Sequence, residues 1–155
     1  MVVDSNERNK MKHFVVIFVL IAGFAIINQA QAKQFSECEL ARLLHRTYRF
    51  DKSKTNNFVC LAAAESSLNT HRTNKNRNGS TDYGLFQINN MYWCTTPGYA
   101  SRSNECRTAC SEFLNNDISK AVACANKVYA RHGYLAWEGW KAKCRRGVRD
   151  LSYCM

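Results

Sequence analysis

Glu65 and Asp82 are the residues of this chain whose settings best suit acid–base chemistry. Glu65 shares a stripe with Phe58, Leu61 and Ala62 at the i, i+3, i+4 and i+7 spacing of one helix face, so a carboxyl group is carried on the side that turns toward a core. Apolar neighbours disfavour the charged form of a carboxyl group, which lets it hold a proton near neutral pH. Asp82 stands among Thr81, Gln87 and Asn89, polar residues that favour an ionised carboxylate. A protonated carboxyl facing an ionised one suits cleavage of a glycosidic bond. The first protonates the leaving oxygen while the second stabilises or attacks the anomeric carbon as positive charge develops there. His45, His71 and His132 form no catalytic pair and read as surface or structural.

The elements that must hold these two groups are legible from periodicity. Ser36-Glu37-Cys38-Glu39 has the form of a capping box, and Leu40, Leu43 and Leu44 follow at helical spacing, which predicts a first helix from Glu37. Asn56 or Asn57 is the expected cap of a second helix, the one carrying Glu65. Asp117 is the expected cap of a third, in which Ile118, Ala121, Val122, Ala125, Val128 and Tyr129 keep the 3.6-residue period up to a stop at Gly133. Trp137, Trp140 and Cys144 repeat at i, i+3 and i+7, predicting a short fourth helix closed by a disulfide. Between the second and third helices the texture turns to Thr, Asn, Arg and Gly, and Asn78-Gly79 is a strong hairpin-turn signal. A strand running from Ser80 to Asn89 would then carry Asp82 in a small antiparallel sheet. The fold class is α+β, a helical lobe with a small β lobe inserted, and a cleft between the lobes is where a ligand would sit.

The start of the chain has another role. Arg8, Lys10, Lys12 and His13 precede fourteen uncharged residues, Phe14 to Ile27, the length of a signal-peptide core. A membrane-spanning helix needs roughly 20 apolar residues, so no stable membrane anchor is expected. Ala30-Gln31-Ala32 supplies the small residues of a cleavage site. Residues 1–32 are therefore read as a signal peptide, with Met11 as an alternative start, and residues 33–155 as a single secreted, extracellular domain.

All eight cysteines, Cys38, Cys60, Cys94, Cys106, Cys110, Cys124, Cys144 and Cys154, follow that cut, which implies four disulfides formed in an oxidising compartment. Cys106 and Cys110 are the only close pair, and no second pair completes a zinc site, so neither metal nor cofactor is expected. Eight cysteines allow on the order of 100 pairings, and their spacing alone selects none. The formal charge of +10 draws the protein toward polyanions, among them nucleic acid, anionic membrane and bacterial wall. The basic residues are scattered, with Arg145-Arg146 the longest run, so charge alone names no partner.

Three stretches carry a specific resemblance: Cys38-Glu39-Leu40-Ala41, CLAAAESSLNT from Cys60 to Thr70, and above all GSTDYGLFQIN from Gly79 to Asn89. With Trp93-Cys94, Cys110-Ser111, Asp117-Ile118, Ala136-Trp137 and Trp140, they make residues 33–155 similar to the c-type (chicken-type) lysozymes, glycoside hydrolase family 22, cysteine spacings included. The resemblance implies a lysozyme-like fold with disulfides Cys38–Cys154, Cys60–Cys144, Cys94–Cys110 and Cys106–Cys124. It implies Glu65 as general acid and later base, and Asp82 as nucleophile or electrostatic partner of a retaining β-glycosidase. The implied substrate is bacterial cell-wall peptidoglycan, cut at the β-1,4 bond between N-acetylmuramic acid and N-acetylglucosamine, with chitin oligosaccharides as poorer substrates. Tyr92, Trp93 and Trp137 would stack on sugar faces, Asn76, Gln87 and Asn89 would supply polar contacts, and Ala136 would line the same site. Trp137 would also be the apolar wall beside Glu65, whereas Trp140 reads as core. The implied partner is the wall; no nucleic acid is expected as a partner, and the protein is expected to be a monomer.

Several positions depart from the chicken-like pattern. Tyr92 and Phe58 stand where tryptophans are common, and one residue is missing between Cys124 and Trp137, which brings Arg131 and His132 to the cleft edge. Glu138 follows Trp137 directly; facing the cleft it would raise the pKa of Glu65, and otherwise it is solvated surface. Asn78-Gly79-Ser80 is an N-glycosylation sequon. Two other classes compete with the hydrolase. A sugar-binding module that has lost catalysis would lack one of the carboxylates, and both are present. A calcium site in such a module would need clustered aspartates, where residues 109–118 offer only Glu112 and Asp117. A cationic protein that disrupts membranes without hydrolysis would be indifferent to loss of Glu65. A secreted ribonuclease would need lysine and histidine motifs that are not here.

Overall fold

A computed structural model describes residues 31–155, of which Ala32–Met155 form one compact unit. The segment read as a signal peptide, but for its last two residues, and the alternative start at Met11 lie outside the described residues. Helix α1 spans Glu37–Arg42, and Ser36 Oγ accepts the Glu39 N–H at 3.2 Å, the capping interaction read from the sequence. The chain then widens into a π-type turn over Leu43–Thr47.

Helix α2, Lys52–Ser66, begins a full turn earlier than Asn56 or Asn57 would allow. Its cap is Asp51, whose Oδ1 accepts the Lys54 N–H at 2.8 Å; a carboxylate complements both the free N–H groups and the positive end of the helix dipole. The two asparagines instead tie α2 to later parts of the chain. Asn56 Oδ1 accepts the Leu151 N–H (3.2 Å), and Asn57 Oδ1 accepts the Trp140 indole N–H (3.1 Å).

The β lobe follows as β1 (Thr73–Lys75), β2 (Thr81–Tyr83) and β3 (Ile88–Asn89), antiparallel in the order β1-β2-β3. Asn78-Gly79 lies at the β1–β2 tip, in a three-residue loop: Asn76 and Ser80 are hydrogen-bonded across it (2.8 Å), the Gly79 N–H returns to Asn76 O (3.0 Å), and Gly79 takes φ +83°. The single strand expected from Ser80 to Asn89 is two strands. Gly84 (φ +74°) and Gln87 (φ +46°) turn the chain between them, and the Gln87 N–H closes on Gly84 O at 3.1 Å. Leu85 and Phe86, inside this turn, are fully buried, so the turn is pulled into the core and the alternation of a surface strand is lost. Only glycine fits at 84, because a Cβ there would lie 2.0 Å from Phe113 O.

Helix α3 spans Ser119–His132; its N-cap is Ile118, one residue after the expected Asp117, whose Oδ1 still accepts the Ser119 N–H (2.9 Å) from just outside the helix, and Gly133, at φ +64°, ends it. Helix α4, Glu138–Lys143, is bracketed by Trp137 and Cys144. Cys144 is joined to Cys60 of α2, and the other bridges are Cys38–Cys154, Cys94–Cys110 and Cys106–Cys124, the pairing implied by the resemblance. Among the described residues no helix is long and apolar enough to cross a membrane.

Phe58 stands at the centre of the core. Its ring meets Phe50, Phe86, Tyr129, Tyr134 and Trp137 edge-on at centroid distances of 5.0 to 6.3 Å, the arrangement favoured by the ring quadrupoles. Those rings come from both lobes and from the segment before α4. Replacing Phe58 by alanine opens a cavity where they converge, and a destabilisation of about 3–5 kcal/mol is expected in urea unfolding. A loss below about 1 kcal/mol would mean that the rings close over the gap.

Candidate active site

A cleft of about 920 Å³ opens between the β lobe and the segment joining α3 to α4. Glu65 and Asp82 both line it, as do Asn76, Gln87, Asn89, Tyr92, Trp93, Ala136 and Trp137, so every site residue singled out in the sequence reaches one surface.

Glu65 projects from the last turn of α2, beyond the buried Phe58, Leu61 and Ala62 of its own stripe. Burial is the main cause that raises its carboxyl above the usual range; the charges of Asp82 and, more weakly, Glu138 act in the same direction. The Gly139 N–H opposes them, donating to Glu65 Oε1 at 2.7 Å, with a smaller lowering contribution from the Trp140 backbone. Glycine makes this approach close: a Cβ at 139 would lie 2.8 Å from Oε1. Trp137, buried beside the cleft, forms part of the apolar wall, and its indole N–H donates to Phe86 O (2.9 Å), locking it to the β lobe. Trp140 packs against the core, stacked on Tyr134 at 5.0 Å.

Asp82 is on the middle strand, opposite Asn74 on one side and Asn89 on the other. Asn89 Nδ2 donates to its Oδ1 (2.6 Å) and Asn76 Nδ2 to its Oδ2 (2.9 Å), so each oxygen has an amide donor. Both amides also reach the buried Ser80 Oγ, at 2.9 and 3.1 Å, and that hydroxyl donates onward to Asn78 Oδ1 (2.8 Å). A hydroxyl has one proton and two lone pairs, and all are engaged here, which fixes the two asparagines. Gln87 was expected among the polar groups at Asp82 but is occupied elsewhere: its amide donates to Arg72 O (3.0 Å) and Gly84 O (2.8 Å), holding the β2–β3 turn.

Tyr92 is 41% exposed at the cleft edge, and its hydroxyl accepts from the Arg102 guanidinium at 3.0 Å. Trp93 is buried against the His132 ring (5.8 Å), with the Arg131 guanidinium over its face (5.8 Å). Arg131 and His132 thus border the cleft as expected, and Arg131 is paired with Glu105 at 3.2 Å. Glu138 also lines the cleft, with its side chain 87% exposed and paired with Lys141. Both expectations for it hold in part: it is solvated, and it still acts on Glu65. Glu138→Gln should therefore move the alkaline limb of the activity profile slightly toward acid, because a weaker negative field lowers the pKa of Glu65. A pH–rate profile that overlays the parent's would remove Glu138 from the account.

Sequence reasoning missed the Gly139 N–H, the Ser80 hydroxyl and Asn74. Ser80 and Asn74 lie within the motif-rich hairpin and carried the signal of polar side chains pointing one way with Asp82; a backbone donor far along the chain carried none.

The profile of the C-type lysozyme/alpha-lactalbumin family matches residues 33–154. The chain is 44% identical over 140 residues to a lysozyme of Bombyx mori, covering 90% of this chain and 98% of that one. It is 48% identical over 137 residues to lysozyme c-1 of Anopheles gambiae, covering 88% and 95%. Among solved structures, a lysozyme from Litopenaeus vannamei superposes with a TM-score of 0.68 at 43% identity, over 78% of this chain and 93% of that one. Canine milk lysozyme gives 0.69 at 41% identity, over 77% and 94%. With a half-buried acid and an amide-held carboxylate lining one cleft of that shared fold, the chain belongs to the C-type lysozyme/alpha-lactalbumin family.

Proposed function

We propose that this protein is a secreted lysozyme that hydrolyses the β-1,4 bond between N-acetylmuramic acid and N-acetylglucosamine of bacterial peptidoglycan, with retention, in antibacterial defence or in digestion of bacteria. The observation that carries the reading is the contrast between the two carboxyl groups on one cleft. Glu65 is half-buried and pushed toward its protonated form, while Asp82 is held by two amide donors. Lysozymes are the type case of the two-carboxylate scheme that follows. Glu65 protonates the glycosidic oxygen as the bond breaks, and Asp82 stabilises or captures the anomeric carbon. Glu65, now a carboxylate, takes a proton from the water that completes hydrolysis. Tyr92, Trp93 and Trp137 offer ring faces to the sugars, Asn76, Asn89 and Ala136 frame the reacting bond, and Gln87 holds the β2–β3 turn that carries part of the cleft wall. No metal or cofactor enters the scheme.

Secretion rests on the reading of residues 1–32 as a signal peptide and on four disulfides, which form in oxidising compartments. A single chain supplies every group in the scheme, which fits a monomer. The test is clearing of a peptidoglycan suspension by the oxidised protein from acid to neutral pH. Clearing is expected. A protein that binds the wall without clearing it would be a sugar-binding module instead.

A further inference from the structure

A second cavity of about 560 Å³ lies beside the cleft, around the Cys106–Cys124 bridge, and Glu105 lines both. Arg107, Lys120 and Lys127 border it, with the Thr108 segment between them. Lys120 and Lys127, with Arg131 of the cleft edge, fall at i, i+7 and i+11 of α3 and so share one face, over about 16 Å of helix. We propose that this basic track is an anion-binding extension of the cleft, in which Arg107, Lys120 and Lys127 take the phosphodiester or carboxylate substituents of the glycan being cut. The inference rests on reading the cleft as a peptidoglycan site.

The opposing charges are Glu105 and Glu112, with Asp117 also near Lys120. Lys120 is paired with Glu112 at 2.8 Å, and Lys127 Nζ donates to the Glu105 carbonyl. Arg107, Lys120 and Lys127 are all exposed. Exposed ion pairs are weak and screened, so Lys120 exchanges its carboxylate for a ligand anion at little cost. The track joins the cleft at Tyr92 and Trp93: the Glu105 and Cys106 N–H groups donate to Tyr92 O (3.0 Å) and Trp93 O (2.9 Å), and the Arg131 guanidinium lies over the Trp93 ring (5.8 Å). A sugar on those rings directs its substituents toward the track, and a neutral glycan gains nothing from it.

The test uses the double variant Arg107→Gln/Lys120→Gln, which leaves the cleft residues in place. Hydrolysis is measured on walls carrying phosphodiester polymer, on walls stripped of it, and on a neutral chitin oligomer. The variant should lose about tenfold in kcat/KM on charged walls, with a flatter salt dependence, and nothing on chitin. A defect that vanishes on stripped walls assigns the track to phosphodiesters; one that persists on them assigns it to peptide carboxylates. Equal rates on every substrate, or an equal loss on chitin, would overturn the proposal. Calorimetric titration of polyglycerol phosphate and of polyglutamate into Glu65→Gln protein, with and without the double substitution, reads the track without hydrolysis. It keeps a failure of the track distinct from a failure of the cleft.

Discussion

Glu65→Gln loses about 10²–10⁴-fold in hydrolysis and melts higher than the parent at neutral pH. The first effect follows because glutamine has the shape of the acid but no proton to give. The second follows from burial, the largest cause of the raised Glu65 pKa. A carboxyl whose folded pKa is raised contributes no penalty while both states hold the proton, below about pH 4. As pH climbs, the unfolded chain releases its proton first, and the folded state loses stability until the pH passes the folded value. Above that window an ionised Glu65 lowers stability and glutamine does not. Solvent reaches part of the group and screens it, so a rise of roughly 2–4 °C is expected at pH 7, vanishing near pH 4. Calorimetry at the two pH values checks this; equal melting temperatures at pH 7 would mean that the protein tolerates the charge, and the acid role would lose its physical basis.

Asp82→Asn should cost about 10²–10³-fold in kcat with little change in affinity for neutral sugar oligomers, because the carboxylate acts on charge that exists only in the transition state. Loss of its charge also removes one cause of the raised Glu65 pKa, so the alkaline limb of the residual activity moves toward acid. Asn76 and Asn89 keep their anchor on Ser80 Oγ, so the strand geometry survives the change. Steady-state kinetics with pH profiles reads both effects. A variant that keeps full kcat would make Asp82 a structural residue of the hairpin.

The helical part of the fold was legible because its signals are local. The Ser36 cap, the Phe58–Glu65 stripe and the Gly133 stop all act within a few residues, and the structure places each as read. The cap of α2 was misplaced because five residues of cap type, Asp51, Ser53, Thr55, Asn56 and Asn57, precede the stripe, and only tertiary bonds to Leu151 and Trp140 show that the asparagines are occupied elsewhere. The break after Tyr83 was hidden by reading Leu85 and Phe86 as strand residues when they are core anchors of a turn. At the site, side-chain types and the hairpin motif were enough to bring Asp82, Asn76 and Asn89 together. The Gly139 N–H on Glu65 was out of reach, since 74 residues separate donor and acceptor and a backbone group has no sequence identity. The disulfide pairing came from resemblance, because spacing alone left it open.

The central claim, that Glu65 donates the proton that breaks a glycosidic bond in peptidoglycan, is tested most directly by labelling new reducing ends in purified wall digested by the parent protein and by Glu65→Gln. The account predicts reducing N-acetylmuramic acid ends from the parent and almost none from the variant. New ends on N-acetylglucosamine, no ends at all, or equal yields from both proteins would contradict it.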